Sequence, residues 1–183
     1  MQSSEAIAPP LTPEPPEFRD LFETEFGYVA RTLRYLGVRG NDIEDVTHDV
    51  FLHVFRHLAA FDASRPLRPW LFGFAYRIAR DFRTLARHQR ESSWEQAEPR
   101  DLSPAADELL VRTEALTLAL HALDSLDSDE RAVFVAHELE ELPMPEVGEA
   151  LGIALNTAYS RLRRARAKFE SAAQRLMAKE KNR

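Results

Sequence analysis

The chain has 183 residues, enough for one large domain or two small ones, and a formal net charge of −6 from 30 acidic and 24 basic residues. Taken as a whole that balance argues against nucleic-acid binding, and the absence of cysteine excludes disulfides, thiolate metal sites and a thiol nucleophile. No apolar run approaches the roughly 20 residues of a membrane span and no secretory signal is visible, so we expect a cytoplasmic protein without membrane insertion.

The first ninety residues predict a tail followed by three helices. Residues 1–16 contain five prolines, which predicts a disordered or extended tail. Apolar residues recur at helical spacing over 18–36, which predicts the first helix. Asn41, with Glu44 three residues later, indicates a capping box at the start of the second. Pro69 suits the first turn of the third helix.

The rest of the chain predicts a linker and a second group of helices. Residues 91–108 are acidic and contain serine and proline, which is typical of a flexible linker. Asp127 or Ser128 starts one of the following helices, Gly152 ends a short one, and a long last helix runs from about Asn156. No segment has the alternating pattern of a strand.

These elements predict an all-α fold of two small helical domains, residues 17–90 and 109–178, joined by a flexible acidic linker. The basic charge is concentrated within them, because residues 65–90 carry a net +6 and residues 151–183 a net +7, whereas residues 109–150 carry −8. Two basic helices on two tethered domains are what a protein needs to grip an extended polyanion at two places. A solvated helix face is the alternative for either run alone.

Residues 146–166 predict a helix-turn-helix: a short helix, a glycine-centred turn and a second, basic helix. Gly148 is small where the two helices would cross, and Gly152 permits the turn. A helix in the major groove needs donors near its N-terminal end, and Asn156 or Thr157 can also cap it. An ordinary helical hairpin is the alternative. The candidate DNA contacts are Asn156, Thr157, Tyr159, Ser160, Arg161, Arg163, Arg164, Arg166 and Lys168.

The third helix combines arginines with aromatic residues. Arginines track phosphates, and an aromatic ring among them can stack on an unpaired base. Phe61 and Trp70 could line a pocket for a base taken out of the stack, although core packing is the alternative for Trp70. The helical wheel places Tyr76 on the outward, basic face. The candidate DNA contacts here are Phe61, Arg65, Arg68, Trp70, Tyr76, Arg77, Arg80, Arg83, Thr84 and Arg87.

The second helix presents an outward stripe with an aliphatic residue in its middle. Leu52 is ringed by charge, which can mark a surface for a protein partner, although single exposed leucines are also common. The stripe consists of Asp45, His48, Asp49, Leu52 and Arg56.

Two histidines on the same helix suggest an alternative function. His53 and His57 stand four residues apart, with Asp49 one turn earlier, so they could hold a metal. The glutamate of a zinc-protease helix is absent after the first histidine, and no further ligand cluster, Ser/His/Asp arrangement or phosphate-binding glycine loop is visible. We therefore expect no catalytic residues, no metal and no cofactor.

Together these motifs resemble those of the extracytoplasmic-function (ECF) sigma factors, two-domain bacterial transcription initiation factors, over about residues 18–90 and 109–172. The segment DIEDVTHDVFLHVFRHLAAFD resembles the core-polymerase-binding helix of the family. RPLRPWLFGFAYRIARDFRTLARHQR resembles its promoter-melting and −10 recognition segment. ALDSLDSDERAVFVAHELEELPMPEVGEALGIALNTAYSRLRRARAKF resembles its −35 recognition domain.

The resemblance implies a protein that binds core RNA polymerase, directs it to promoter DNA and helps melt it, with an anti-sigma factor as an expected partner. The stripe around Leu52 would face the clamp of the largest polymerase subunit. Residues 61–68 would capture a flipped −10 base, and the acidic linker would thread into the polymerase. Arg77, Arg80 and Thr84 would approach the non-template strand, and the −35 element would be read by Tyr159, Ser160, Arg163 and Arg164.

Four positions depart from the residues common in the family, namely His48, Arg77, Met144 and Tyr159. Two other functions remain open from the residues themselves. One is a free-standing helix-turn-helix regulator that binds duplex DNA without polymerase. The other is a metal-dependent hydrolase that uses His53 and His57.

Overall fold

The computed structural model is α-helical and describes residues 15–92 and 107–181 of the chain. Within these ranges there is no strand, which confirms the all-α prediction. A 3₁₀ turn, Leu58–Ala60, follows the second helix, and a π-helical turn, Val135–Leu139, extends the fifth. The helices are α1 (Phe18–Tyr35), α2 (Asp42–His57), α3 (Leu67–Ser92), α4 (Asp107–Leu123), α5 (Ser128–Phe134), α6 (Met144–Leu151) and α7 (Leu155–Lys181).

Several helix ends lie where the sequence predicts them. The Asp127 carboxylate accepts hydrogen bonds from the backbone N–H groups of Asp129 (3.1 Å) and Glu130 (2.8 Å), so it caps α5. Gly152 ends α6 in the left-handed conformation with φ +66°, which glycine adopts without strain. Residues 1–14 of the predicted tail and residues 93–106 of the predicted linker lie outside the described residues, whereas both ends of that predicted linker are helical.

Two predicted helix caps are wrong, although the helices begin within a residue of the predicted positions. Asn41 precedes α2 but its side chain makes no capping hydrogen bond, so no capping box forms there. Helix α7 begins at Leu155, so Asn156 and Thr157 lie inside its first turn instead of capping it. Within the described ranges, no helix combines the length and apolar character that crossing a bilayer requires.

The N-terminal half, residues 15–92, is a three-helix unit in which α1, α2 and α3 contact one another. Its core is formed by fully buried aliphatic and aromatic side chains. Aromatic rings fill the space between α1 and α2, where the Phe51 ring lies 4.8 Å from that of Phe22, measured between centroids. The core members include Val29, Leu33, Val50, Phe51, Val54, Leu71, Phe72 and Ala75.

The C-terminal half, residues 107–181, is organised around α7, which contacts α4, α5 and α6. Helices α6 and α7 form the predicted helix-turn-helix. A Cβ at Gly148 would lie 3.1 Å from the carbonyl oxygen of Ile153, so the small residue allows the turn to fold back on α6. Ala158, Leu162 and Ala165 are the buried face of α7.

The two halves pack against each other through one continuous buried core. Helices α3 and α6 meet at Gly73, where an added Cβ would lie 2.9 Å from the carbonyl oxygen of Ala150. The absence of a side chain at this position lets the backbones approach closely. The predicted pair of tethered domains is therefore a packed pair in this structure.

Replacing Asp127 with alanine should lower the free energy of unfolding by about 1 kcal/mol, because the first turn of α5 loses its side-chain acceptor. Urea denaturation followed by circular dichroism measures this change. Asp127→Asn keeps a capping oxygen and serves as the control, with most of the stability retained. Equal losses in both variants would contradict the cap and point to the carboxylate charge instead.

Candidate polymerase and nucleic-acid interfaces

The outward face of α2 carries all five residues of the predicted stripe, Asp45, His48, Asp49, Leu52 and Arg56, and each is exposed. Leu52 retains 54% of its accessible surface. None of the charged side chains of α2 forms an ion pair with another described residue. Within the described ranges, Asp45, Asp49 and Arg56 of this face therefore have no ion-pair partner, whereas the His48 ring packs on Phe22 and Phe26.

Phe55 extends this face and was missed by the sequence reasoning. It is 61% exposed, although its ring contacts Phe18 at a centroid distance of 4.9 Å. Its position three residues after Leu52 places both side chains on one side of α2. The three-residue spacing is the sequence signal that could have identified Phe55. Leu52 and Phe55 form an apolar pair between charged neighbours.

The two histidines of α2 are not arranged as a metal site. His57 Nδ1 lies 2.8 Å from the carbonyl oxygen of His53, and its ring packs on Phe74. Across the described residues, no group of three or more histidine, aspartate, glutamate or cysteine side chains is placed to hold a metal ion. The structure thus gives no support to the hydrolase alternative.

A cavity of about 260 Å³ lies at the start of α3. Phe61 and Trp70 line it with ring centroids 4.7 Å apart, and Arg65 and Arg77 lie on its wall. The predicted pocket near these aromatics is therefore present. Its opposite wall comes from α6 in the C-terminal half, through Glu146, Glu149 and Ala150.

The arginines around this cavity differ in their partners. Arg65 forms an ion pair with Glu149, whereas the Arg77 guanidinium has no carboxylate partner in the described structure and lies 4.9 Å from the centroid of the Phe74 ring. Burial and the neighbouring Arg80 lower the pKa of Arg77. An arginine that is not paired with a carboxylate among the described residues favours an incoming anion.

Tyr76 is buried, so its predicted place on the outward face of α3 is wrong. Its hydroxyl donates a hydrogen bond to Asp129 of α5 at 2.9 Å. Burial and that hydrogen bond raise the pKa of Tyr76. A helical wheel drawn for α3 alone cannot anticipate this, because the covering residues belong to the other half.

The other predicted DNA contacts of α3 interact with groups of the N-terminal half. Arg68 pairs with Glu25 of α1, and Arg83 donates to the carbonyl oxygen of Leu36 at 3.2 Å. Arg80 contacts its neighbour Asp81, while the Thr84 hydroxyl donates to the Arg80 carbonyl oxygen. Arg87 lies outside the described side chains.

The predicted DNA contacts of α7 fall into a set without ion pairs in the described structure and a paired set. Tyr159 is half exposed, Asn156, Thr157 and Arg163 are exposed, and Ser160 is intermediate with its hydroxyl bonded to Thr157. Arg163 has no ion-pair partner among the residues described. The paired set is Arg161 with Asp129, Arg164 and Lys168 with Glu130, and Arg166 with Glu138.

Glu130 is the centre of the paired set, since its side chain is only 4% exposed and accepts from both Arg164 Nε (3.2 Å) and Lys168 Nζ (2.5 Å). A buried carboxylate requires such partners. Arg164 therefore has a structural task in addition to the base contact expected of it.

Two family models match the chain. The model of sigma-70 region 2 matches residues 21–91 and that of sigma-70 region 4 matches residues 116–169, together more than half of the chain. The region 2 match leaves the free-standing helix-turn-helix regulator unsupported, since such a protein needs the second half alone.

Curated relatives match across both halves. The RNA polymerase sigma factor NccH of Alcaligenes xylosoxydans xylosoxydans is 28% identical over 158 residues, which cover 83% of this chain and 84% of the relative. The ECF RNA polymerase sigma-E factor of Escherichia coli is 25% identical, with 76% and 78% covered.

Solved structures show the same arrangement of helices. CnrH in complex with the cytosolic domain of CnrY is 27% identical, with a TM-score of 0.58 and coverage of 84% of this chain and 85% of the other. The sigma factor RpoE in complex with the anti-sigma factor NepR from Bartonella quintana has a TM-score of 0.71 over 86% and 97% of the two chains. At 19% identity, the second likeness shows the fold alone.

Replacing Arg164 with alanine should lower the free energy of unfolding by about 1–2 kcal/mol, because the buried Glu130 carboxylate loses one of its two partners. Arg163→Ala is the matched control on the same helix and should leave stability unchanged. Thermal and urea denaturation of both variants measure the difference. Equal stability of the two would show that Glu130 does not depend on Arg164.

Proposed function

Since the chain belongs to the extracytoplasmic-function group of RNA polymerase sigma factors, which bind core RNA polymerase and direct it to promoters, we propose how its surfaces divide these tasks. The face of α2 binds the polymerase, the start of α3 receives the −10 element, and the N-terminal part of α7 reads the −35 element. The main support for this assignment is the exposed apolar pair of Leu52 and Phe55 on α2. A protein that only binds DNA does not need an exposed apolar pair on this face, whereas a protein that binds the polymerase does.

The α2 face has the composition of a protein interface. An apolar centre surrounded by charged residues allows burial of the centre while the rim fixes orientation. Leu52 and Phe55 supply the centre, and Asp45, Asp49 and Arg56 supply the rim. Because these charges have no partners inside the described chain, they remain available to a partner protein.

The cavity at the start of α3 suits an unpaired base. Phe61 and Trp70 offer ring faces, and a base taken out of the stack gains from stacking on aromatic side chains. Arg77, which lacks a carboxylate partner among the described residues, supplies a cation for the adjacent phosphate. Arg80 and Thr84 follow along the same helix toward the non-template strand.

On α7, the exposed residues favour a contact with the major groove. Tyr159 and Arg163 project from the first three turns, at the N-terminal end where helix-turn-helix proteins place their base contacts. A bidentate arginine–guanine pair gives about 1–3 kcal/mol of discrimination between bases. Arg163 is the better candidate for this contact than Arg164, because Glu130 already holds Arg164.

The setting of this activity follows from the same assignment. We infer a cytoplasmic protein without catalytic residues of its own, since the chemistry of RNA synthesis belongs to the polymerase. CnrH was solved with the cytosolic domain of CnrY, and RpoE with the anti-sigma factor NepR. We propose that an anti-sigma factor also regulates this chain.

The function is tested by in vitro transcription with purified core polymerase on promoters selected from random DNA. Adding the protein should give initiation at defined sites. Absence of both core binding and site-specific initiation would contradict the proposal, whereas tight binding to the selected duplex without core would support a stand-alone regulator.

Replacing Leu52 with glutamate should weaken core binding by about tenfold or more, because burial of a leucine side chain is worth about 1.5–3 kcal/mol. Fluorescence anisotropy of labelled protein titrated with core polymerase measures the affinity. Leu85→Glu, which changes an exposed leucine of α3, is the control. Unchanged affinity for core polymerase would remove Leu52 from the interface. Loss of the helical circular dichroism signal of the variant would show that Leu52 belongs to the hydrophobic core of the N-terminal half.

Replacing Arg163 with alanine should weaken holoenzyme binding to a selected promoter by about tenfold, with the loss confined to one −35 base pair. Arg175→Ala, farther along α7, is the control and should bind as the unmodified protein does. Mobility-shift titrations on promoters with single −35 substitutions measure both effects. Loss of affinity without loss of base preference would assign Arg163 to phosphate contact.

A further inference from the structure

One acidic side chain of the N-terminal half lines the cavity at the start of α3. It belongs to Asp62, which directly follows Phe61, whereas the other acids on the cavity wall, Glu146 and Glu149, come from α6. Because Asp62 and Phe61 are neighbours in the chain, this carboxylate stays beside the aromatic rings wherever α6 lies. The stacking and phosphate contacts proposed above give it no task.

The Asp62 side chain is held by a tight turn. Its Oδ1 atom accepts hydrogen bonds from the Ser64 backbone N–H at 3.0 Å and from the Ser64 hydroxyl at 2.6 Å. The Arg65 N–H donates to the Asp62 carbonyl oxygen at 3.0 Å, and Pro66 follows with a restricted backbone. Both side-chain bonds fall on one oxygen, so Oδ2 has no hydrogen-bond partner within the described residues.

The same bonds keep the carboxylate ionised. Hydrogen bonds from the Ser64 hydroxyl and backbone N–H lower the pKa of Asp62, and the nearby charge of Arg65 adds to this shift. An ionised carboxylate only accepts hydrogen bonds. A group that lies beside Asp62 must therefore present a donor to Oδ2, because an acceptor placed there would be repelled.

The four DNA bases differ in what they can present to such an acceptor. Adenine, cytosine and guanine each carry an exocyclic amino group, and aspartate accepts a hydrogen bond from the N4 amino group of cytosine in DNA complexes. Thymine has no amino group, and its single N–H lies between two carbonyl oxygens. One fixed carboxylate oxygen thus discriminates amino-bearing bases from thymine.

We propose that Asp62 selects the base that this cavity receives, by accepting a hydrogen bond from its exocyclic amino group and excluding thymine. The proposal rests on the function assigned above and adds a specificity-determining residue to it. Phe61 and Trp70 hold the faces of the base, Arg77 holds the adjacent phosphate, and Asp62 reads the base edge. Ser64 is a positioning residue, since it acts on the base only through Asp62.

The first test removes only the amino group from the base. Promoters selected from random DNA give the −10 sequence, and 2-aminopurine fluorescence identifies the non-template position that leaves the stack in the holoenzyme complex. The base selected there is replaced by its analogue without the amino group, which is purine for adenine, 2-pyrimidinone for cytosine and hypoxanthine for guanine. Holoenzyme should bind the analogue promoter about tenfold more weakly, because a hydrogen bond to a charged group is lost.

The second test changes the acceptor and keeps the turn. Asp62→Asn retains an oxygen for Ser64 and also offers an amide N–H₂ group, so this variant should bind thymine and the selected base about equally. Removal of the amino group from the selected base should then cost about twofold or less. Asp20→Asn, which changes an exposed acid of α1 that has no ion pair in the described chain, gives the same net charge and should discriminate as the unmodified protein does.

Variants of Ser64 test how the carboxylate is held. Ser64→Ala removes one of the two bonds to Oδ1 and should reduce the discrimination against thymine about threefold, whereas Ser64→Thr keeps a hydroxyl and should restore it. Mobility-shift titrations of holoenzyme on promoters with each base measure these ratios. Equal discrimination by Ser64→Ala and the unmodified protein would overturn the positioning role of Ser64.

The outcomes separate base selection from the assigned function. Thymine as the selected base, or an equal loss on removing the amino group in the unmodified protein and in Asp62→Asn, overturns the role of Asp62, while site-specific initiation leaves the function standing. A loss that is present in the unmodified protein and absent in Asp62→Asn supports the role. Failure of the unmodified protein to bind core polymerase or to initiate overturns the function itself. The analogue experiment needs no variant, so it remains decisive where a substitution prevents folding.

Discussion

The burial of one guanidinium constrains how the two halves meet. Arg131 of α5 is only 2% exposed, yet its Nε donates to the carbonyl oxygen of Tyr35 at the end of α1 and its Nη1 donates to Asp124 at 2.9 Å. A buried charge is tolerated only with such partners, and here one of them belongs to the other half. Burial lowers the pKa of Arg131, while Asp124 opposes that shift. The positions of α1 and α5 are therefore mutually dependent.

Pairing between the halves also accounts for part of the charge distribution along the chain. The acids that follow α4 and open α5 face two basic helices at once, since Asp129 accepts from Tyr76 of α3 and pairs with Arg161 of α7. The net charge of −6 therefore combines acidic and basic segments, several of which pair with each other in the described part of the chain. Basic residues of α3 and α7 and the acids that pair with them are brought together because the two halves share a buried hydrophobic core.

Much of the fold was predictable because each helix carries its own signals. Asp127, Gly148 and Gly152 act through local geometry, so sequence spacing was enough to place α5, α6 and the turn. The burial of Tyr76 and the ion pair of Arg65 could not be predicted from the sequence, because both depend on which surface of the C-terminal half covers α3. Phe55 was left out of the predicted stripe although it stands three residues after Leu52, and its exposure is visible only in the structure. Candidate site residues were thus predictable by residue type, whereas the side chains that pair with them are visible only in the structure.

The buried carboxylate of Glu130 has a consequence for how ionic conditions act on promoter binding. Each phosphate that a protein neutralises releases condensed cations from DNA, and this release sets how steeply affinity falls with salt. Arg164 and Lys168 already share the charge of Glu130, so in the proposed −35 contact they would neutralise phosphates less fully than unpaired cations. The number of ions released on binding therefore reflects the net charge of α7 and its neighbours, and a count of the basic residues of α7 overstates it.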